Sequence, residues 1–494
     1  MSERLTAGPR ATEEDTGDHL PEGSEASEDG PGSSSPAGGV ASRETIRPLV
    51  MRLHFYAGVL VAPLLLLVAV SGLLYACSFQ AEKIVYAHEL SVPAGKEKLP
   101  LEKQLAAARS AHPEGTFNAV RPSAEAGATT RVLLDVPGLD ESTRLAVFVD
   151  PYTGDVRGAL EAYGSSGALP LRTWTDELHR GLHLGDPGRI YSELAASWLW
   201  VVTAGGLVLW IGRRRSARRL RRTLLPEGGS PSRRRTMSWH GSVGIWAAAG
   251  LFFLSATGLT WSQYTGENIT RLRAALSWET PEVSGEGSHH GSSGGHGGHG
   301  EPGHSAHKDV GIDRVRQAAL GKGLSGPVEV TAPAEPGAAW TVKQIKTTWP
   351  EKQDAVAVDA ATGEVTEVLR FDDWPLAAKL SRWGIDAHMG LLFGIVNQAA
   401  LAVLMIAVIC LTVWGYRMWW LRRPTRKESW AMGRAPVRGA WRRVPVRILA
   451  PLVLSTAVVG YYLPLLGGSL LLFLAFDLGV GALRRRNGPR GTVR

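Results

Sequence analysis

Cysteine is almost missing from this chain: two residues in 494, Cys77 and Cys410, each inside an apolar run. That scarcity excludes a disulfide framework and a thiolate metal site. Two thiols in apolar surroundings are expected to be buried and inert. Also missing are a Gly-rich dinucleotide fingerprint after a strand, an HExxH pair and a recognisable nucleophile triad. The chain therefore carries no sign of its own nicotinamide or flavin domain, or of hydrolytic chemistry. The formal net charge is +8, yet no recognition-helix or RNA-binding pattern accompanies it, so nucleic acid is not the expected partner.

What is present is charge beside hydrophobic runs. Arginines crowd at 213–235, at 417–447 and from Arg484 onward. Basic loops flanking apolar spans are the usual pattern of cytoplasmic loops. An uncharged run at 55–77 and apolar runs at 193–212, 241–262 and 393–416 are each long enough to cross a bilayer. A fifth apolar region, 446–483, breaks near Pro464 to Gly468 and has arginines at both ends. That pattern predicts a hairpin of two short helices, with one long kinked helix as the alternative, and six spans in all. Arg43, Arg47 and Arg52 place the start of the chain inside and both long polar segments outside. The first run is expected to be a signal anchor. Residues 1–45, rich in Gly, Ser, Pro and acids, are expected to be disordered.

The chain repeats itself. "VFVDPYTGDVRGAL" at 147–160 matches "VAVDAATGEVTEVL" at 356–369, each read as strand, Thr-Gly turn, strand. Helical stretches precede them near 101–111 and 312–319. The spans repeat too. His54, Gly58 and Gly72 have the spacing of His240, Gly244 and Gly258. "LHRGLHLGDPG" precedes the second span and "IDAHMGLLFG" the fourth, each with a histidine two residues before a glycine, His183 and His388. The expected fold is an α-helical membrane protein: a four-helix transmembrane core from a tandem repeat, a C-terminal helical hairpin, and two small exterior α+β modules. The expected boundaries are a tail at 1–45, helix 1 at 48–78, module 1 at 79–165 and helix 2 at 176–213. A basic loop at 214–237, helix 3 at 238–264, a histidine-rich insert at 284–308 and module 2 at 309–372 follow. Helix 4 at 384–421, a second basic loop at 422–445 and the hairpin at 446–483 complete the set.

In an up-down bundle the first and third helices are diagonal, as are the second and fourth. His54 and His240 would then meet near the inner face, and His183 and His388 near the outer face. Opposed imidazoles suit a haem iron. One interfacial histidine is ordinarily a hydrated anchor; four in register across a repeat favour a shared role, haem ligation ahead of proton relay or structural hydrogen bonding. His179, one helical turn before His183, matches Gly384 in that alignment and reads as an exposed companion or a substitute for His183. Glycines one turn from His54 and His240 would permit close approach.

Residues 285–307 hold His289, His290, His296, His299, His304 and His307 among Gly and Ser. Such a loop is either a linker with incidental metal affinity or a metal-capture segment without fixed geometry.

With "LHFYAG…SGLLY", "LHRGLHLG", "WHGSVGIW…ATGLTW", "AHMGLLFG", "WWLRRP" and the two "VD…TG" hairpins assembled, the chain over about 48–483 resembles the PepSY-associated transmembrane proteins, also described as iron-regulated membrane proteins. The resemblance implies a multi-pass bacterial inner-membrane protein. Some members are ferric-siderophore reductases that hold haem in the bundle, so it implies haem b, two per chain, on His54, His240, His183 and His388. Electrons would come from a quinol or a partner reductase and go to a ferric chelate or siderophore outside, in support of iron acquisition. The histidine-rich insert and the long N-terminal tail depart from the family pattern. PepSY modules also occur in peptidase propeptides, which implies the alternative of a non-enzymatic membrane-anchored protein that binds or regulates an exterior peptidase. A metal permease is a third expectation.

Overall fold

A computed structural model describes residues 38–214, 224–226, 232–283, 309–335, 337–422, 439 and 444–486. The histidine-rich insert, most of the expected disordered tail and most of both basic loops lie outside the described residues. In chain order the helices are α1 (Gly38–Leu60), α2 (Ala62–Val85), α3 (Ala87–Leu90), α4 (Leu101–Ala111), α5 (Pro170–Gly181) and α6 (Asp186–Arg214). They continue with α7 (Ser232–Leu259), α8 (Tyr264–Ala275), α9 (Ile312–Gly321), α10 (Leu376–His388), α11 (Gly394–Trp420), α12 (Val446–Tyr462) and α13 (Pro464–Arg486). The strands are β1 (Thr116–Arg121), β2 (Thr130–Asp135), β3 (Thr143–Val149), β4 (Val156–Tyr163), β5 (Val328–Thr331), β6 (Trp340–Gln344), β7 (Ala355–Val358) and β8 (Val365–Leu369).

Among the described residues five helices are long and apolar enough to cross a membrane: α2, α6, α7, α11 and α13. The chain is a multi-pass helical membrane protein. α12, with 17 residues, is apolar but shorter than these. Helix α1 runs almost unbroken into α2, because Val61 and Leu65 keep helical backbone bonds across the joint. Pro63 has no N–H to give the carbonyl four residues back. That carbonyl, Val59, instead accepts the Tyr416 hydroxyl at 2.8 Å from α11. α1/α2 packs on α6 and α11, and α7 packs on the same two, so α2 and α7 are diagonal across the bundle. A core of Ala57, Leu65, Ala195, Leu251, Leu254 and Met405 fills it. Both cysteines were expected to be buried. Cys77 is instead exposed on α2 and Cys410 is half-buried on α11, as apolar thiols facing lipid would be.

The two exterior segments differ from the expected pair of separate modules. They join in one antiparallel eight-stranded sheet, ordered β4-β3-β2-β1-β5-β6-β7-β8. The seam is β1 against β5, with Ala119 opposite Thr331 and Val120 opposite Val330. Pairing there removes two sheet edges that would otherwise present free backbone groups. In β3, Val147 and Val149 face the core under α4 and α9, while Ala146 and Phe148 face the other side with Tyr86 and Leu90. This is the two-residue alternation of a sheet buried on both faces. Two contacts lock the seam. Arg121 donates Nε to Glu329 at 2.6 Å. The Asp313 carboxylate of α9 accepts the Leu101 and Glu102 N–H groups at the start of α4, at 2.8 and 3.1 Å.

The repeated hairpins fold alike. Asp150 caps its turn by accepting the Tyr152 and Thr153 N–H groups, and Asp359 accepts those of Ala361 and Thr362. Gly154 and Gly363 both take left-handed backbone, at φ 82° and 72°, which glycine alone adopts without a steric cost.

Candidate cofactor site

His54 on α1 and His240 on α7 face each other across the bundle at the end away from the sheet. Their ring centroids are 6.4 Å apart with planes at 76°. Each ring is held by the neighbouring helix: His54 Nδ1 lies 2.9 Å from the Val202 carbonyl of α6, and His240 Nδ1 lies 3.1 Å from the Leu411 carbonyl of α11. A carbonyl only accepts, so Nδ1 carries the proton in both and Nε2 keeps its lone pair. The backbone there comes close to one ring. A Cβ on Gly206 would lie 3.2 Å from His54 Cε1. The glycines expected to matter, Gly58 and Gly244, meet open space and an ordinary contact with Leu411.

At the sheet-side end stand His179 and His388, each bonded to a hydroxyl of a long helix. His179, on α5, places Nδ1 3.1 Å from Ser71 Oγ of α2. His388, on α10, places Nδ1 2.6 Å from Thr257 Oγ1 of α7. Ser71 gives its own proton to Leu67 and Thr257 gives its proton to Phe253. Both hydroxyls therefore accept from the imidazoles, and Nε2 is again the nitrogen left with a lone pair. Space is tight at Gly72: a Cβ on it would sit 3.0 Å from His179 Cε1.

His183 was the expected partner of His388, and the structure gives it different neighbours. It stands in the left-handed turn after α5 at φ 54°, exposed, bonded to Glu177 and lying against Trp174. The turn from Leu182 to Gly185 also breaks off α5 from α6, so the expected single helix at 176–213 is two helices. Likewise α10 is separated from α11 around Gly390 and Gly394. The contacts of these residues recur at equal intervals along the chain. The step from His179 to His388 is 209 residues, and so is the step from Val202 to Leu411. The step from His54 to His240 is 186 residues, and so is the step from Ser71 to Thr257. The sequence held this signal as the hydroxyl residue just before Gly72 and Gly258, which the glycine spacing overshadowed.

A family model of the PepSY-associated TM region matches residues 51–422. The chain belongs to that family. The match takes in all four histidines, the sheet and α11. No curated protein matches the chain.

The spacing of His54 and His240 fits the haem that the resemblance implies. A metal–imidazole bond is about 2 Å. Two such bonds plus roughly 1.1 Å from each nitrogen to its ring centre come to about 6 Å, close to the observed 6.4 Å. Metal-ligating histidines typically donate their other N–H to a fixed acceptor, as all four do. Among the described residues there is no group of three or more His, Cys, Asp or Glu able to hold a metal ion. The metal-ligand role expected for His289, His290, His296, His299, His304 and His307 lies outside the described residues.

Proposed function

We propose that this PepSY-family protein is a haem b electron carrier, with His54 and His240 holding one group and His179 and His388 the other. The carrying observation is the pair of opposed imidazoles at 6.4 Å, each with its tautomer set by the neighbouring helix. Haem bound there supplies one-electron redox chemistry. The chain itself orients the ligands through Val202, Leu411, Ser71 and Thr257 and keeps each Nε2 unprotonated. Apolar side chains of the bundle core, among them Leu65, Leu251 and Met405, pack along the helices that carry the sites. From His54 to Ser71 is seventeen residues, roughly 25 Å at about 1.5 Å per helical residue, so the two sites stand at different depths. The proposed orientation puts the N-terminus in the cytoplasm and the sheet outside a bacterial inner membrane. A membrane quinol or partner reductase would be the donor, and a ferric chelate such as a ferric siderophore the acceptor. Membranes from expressing cells should give a dithionite-minus-oxidised spectrum of a low-spin b-type cytochrome, absent from the H54A/H240A/H179A/H388A variant. A spectrum identical in the two would overturn the proposal.

A second reading has its own observation. A cavity of about 530 Å³ opens where α4 meets α9, lined by Arg109, Phe117, Arg314 and Trp340 with Glu102, Asp309 and Asp313. Only the joined halves form it. It supports a non-enzymatic role in which the sheet binds an exterior peptidase or peptide and the helices anchor it. The family match and the sheet suit this role without any cofactor. Loss of the biological phenotype in R109A/R314A, with the quadruple histidine variant fully active, would select it over the electron carrier.

A further inference from the structure

The end of the bundle away from the sheet carries crowded positive charge that the histidine sites do not use. α7 and α11 meet there with Trp239 and Trp414 in tilted contact, centroids 5.9 Å apart. Beside them opens a cleft of about 230 Å³ lined by Arg235, Thr236, Trp239, Trp414 and Arg417. Its floor is tied down. Thr236 is buried and donates its hydroxyl to the Ser232 carbonyl at 2.9 Å, and Arg417 donates to Ser232 Oγ at 3.0 Å. No Asp or Glu occurs between 232 and 261 or between 394 and 422. Arg233 and Arg422 add to the crowding: burial first, and then the charge of Arg233, hold the Arg422 guanidinium below its usual range.

Like charges gathered at a low-dielectric boundary repel, and an anion among them relieves the repulsion. Neither helix supplies that anion from its own side chains. Tryptophans at the end of a span mark the headgroup level of a bilayer, where lipid phosphates are the concentrated anion. Guanidinium forks match phosphate oxygens.

We propose that this cleft is a binding site for one anionic phospholipid of the leaflet opposite the sheet. Arg235 and Arg417 engage its phosphodiester, and Trp239 and Trp414 pack against its glycerol and first methylenes. The site spans α7 and α11 one residue from His240, so the lipid braces the joint between the two helices that position the His240 ring. The inference stands whether or not haem is the cofactor.

The test is native mass spectrometry of the full chain titrated with phosphatidylglycerol and, separately, phosphatidylcholine. The wild type should retain one phosphatidylglycerol in preference to phosphatidylcholine. Each basic residue near an anionic surface contributes about 1 kcal/mol, so R235Q or R417Q should weaken retention about fivefold and the double variant about 25-fold. The R235K/R417K pair should stay within a few-fold of wild type, and R109Q on the sheet should match it. Equal retention of the two lipids by wild type, or wild-type retention by R235Q/R417Q, would overturn the proposal. So would displacement of the lipid by millimolar inorganic phosphate, which would mark a free-anion site. If the double glutamine variant fails to fold, the wild-type lipid preference and the lysine pair still decide.

Discussion

The two histidine pairs are built alike in chemistry and differently in support. The pair away from the sheet sits on the long helices α1 and α7, and its rings lean on backbone carbonyls of α6 and α11. The sheet-side pair sits on the short helices α5 and α10, and its rings lean on the side chains of Ser71 and Thr257. A carbonyl acceptor cannot be removed by substitution. A hydroxyl can. The first pair is therefore fixed by the bundle itself. The second is adjustable, and it hangs from elements that also carry the exterior sheet: Glu82 of α2 accepts the Leu169 and Arg172 N–H groups where α5 begins.

The largest effects should come from the ligands. H240A or H54A should remove one haem equivalent and leave the other pair's spectrum in place, and H179A or H388A should do the reverse. Haem content against protein concentration reads this out. Loss of both haems in every single variant would mean that the pairs are not independent.

Next come the hydroxyls, which sharpen the contrast between the pairs. S71A and T257V should weaken haem retention at the sheet-side pair by roughly 10- to 100-fold, the usual cost of losing the group that orients a metal ligand. The pair at His54 and His240 should be untouched. Comparable weakening at both pairs would show that the hydroxyls act through general stability.

The sheet seam gives smaller effects. Removing one partner of a largely buried ion pair costs about 3–5 kcal/mol when desolvation is complete. The Arg121–Glu329 side chains retain 11% and 17% exposure, so R121A should cost toward the lower end. Burial alone would raise the Glu329 carboxyl, but the Arg121 charge and hydrogen bond hold it below the usual glutamate range. Its contribution is therefore complete above the unfolded glutamate pKa and is lost as pH falls through the lowered folded value. Amide exchange of β1 and β5 should accelerate over that acid window in wild type and show no such step in E329Q. D313A, which removes the acceptor at the start of α4, should cost about 0.5–2 kcal/mol. Thermal melts of the full chain measure it.

Features set by near neighbours in the chain were legible in the sequence, and those set by distant contacts were not. Hydropathy and basic loops placed the spans, and the Thr-Gly turns placed both hairpins, because those features depend on neighbours in the chain. His54 opposite His240 was legible for the same reason, since each histidine and its glycines keep the same spacing, along the joined α1 and α2 and along α7. The sheet-side register was not. His183 and His388 share a two-residue spacing to glycine, but the chain returns from the sheet through turns of different shape after α5 and α10. The contacts of His179 with Ser71 and of His388 with Thr257 carry the proposed register, and those residues lie more than a hundred positions away. Fusion of the two halves into one sheet was equally hidden, because β1 and β5 are separated by 206 residues from Arg121 to the start of Val328–Thr331, and nothing local marks them as partners.

Haem stoichiometry in H179A and H183A, measured side by side with wild type, tests the central claim most directly. Two haems per chain in wild type and in H183A, and one in H179A, is the predicted result. A haem lost from H183A and kept in H179A, or no haem in wild type, would contradict it.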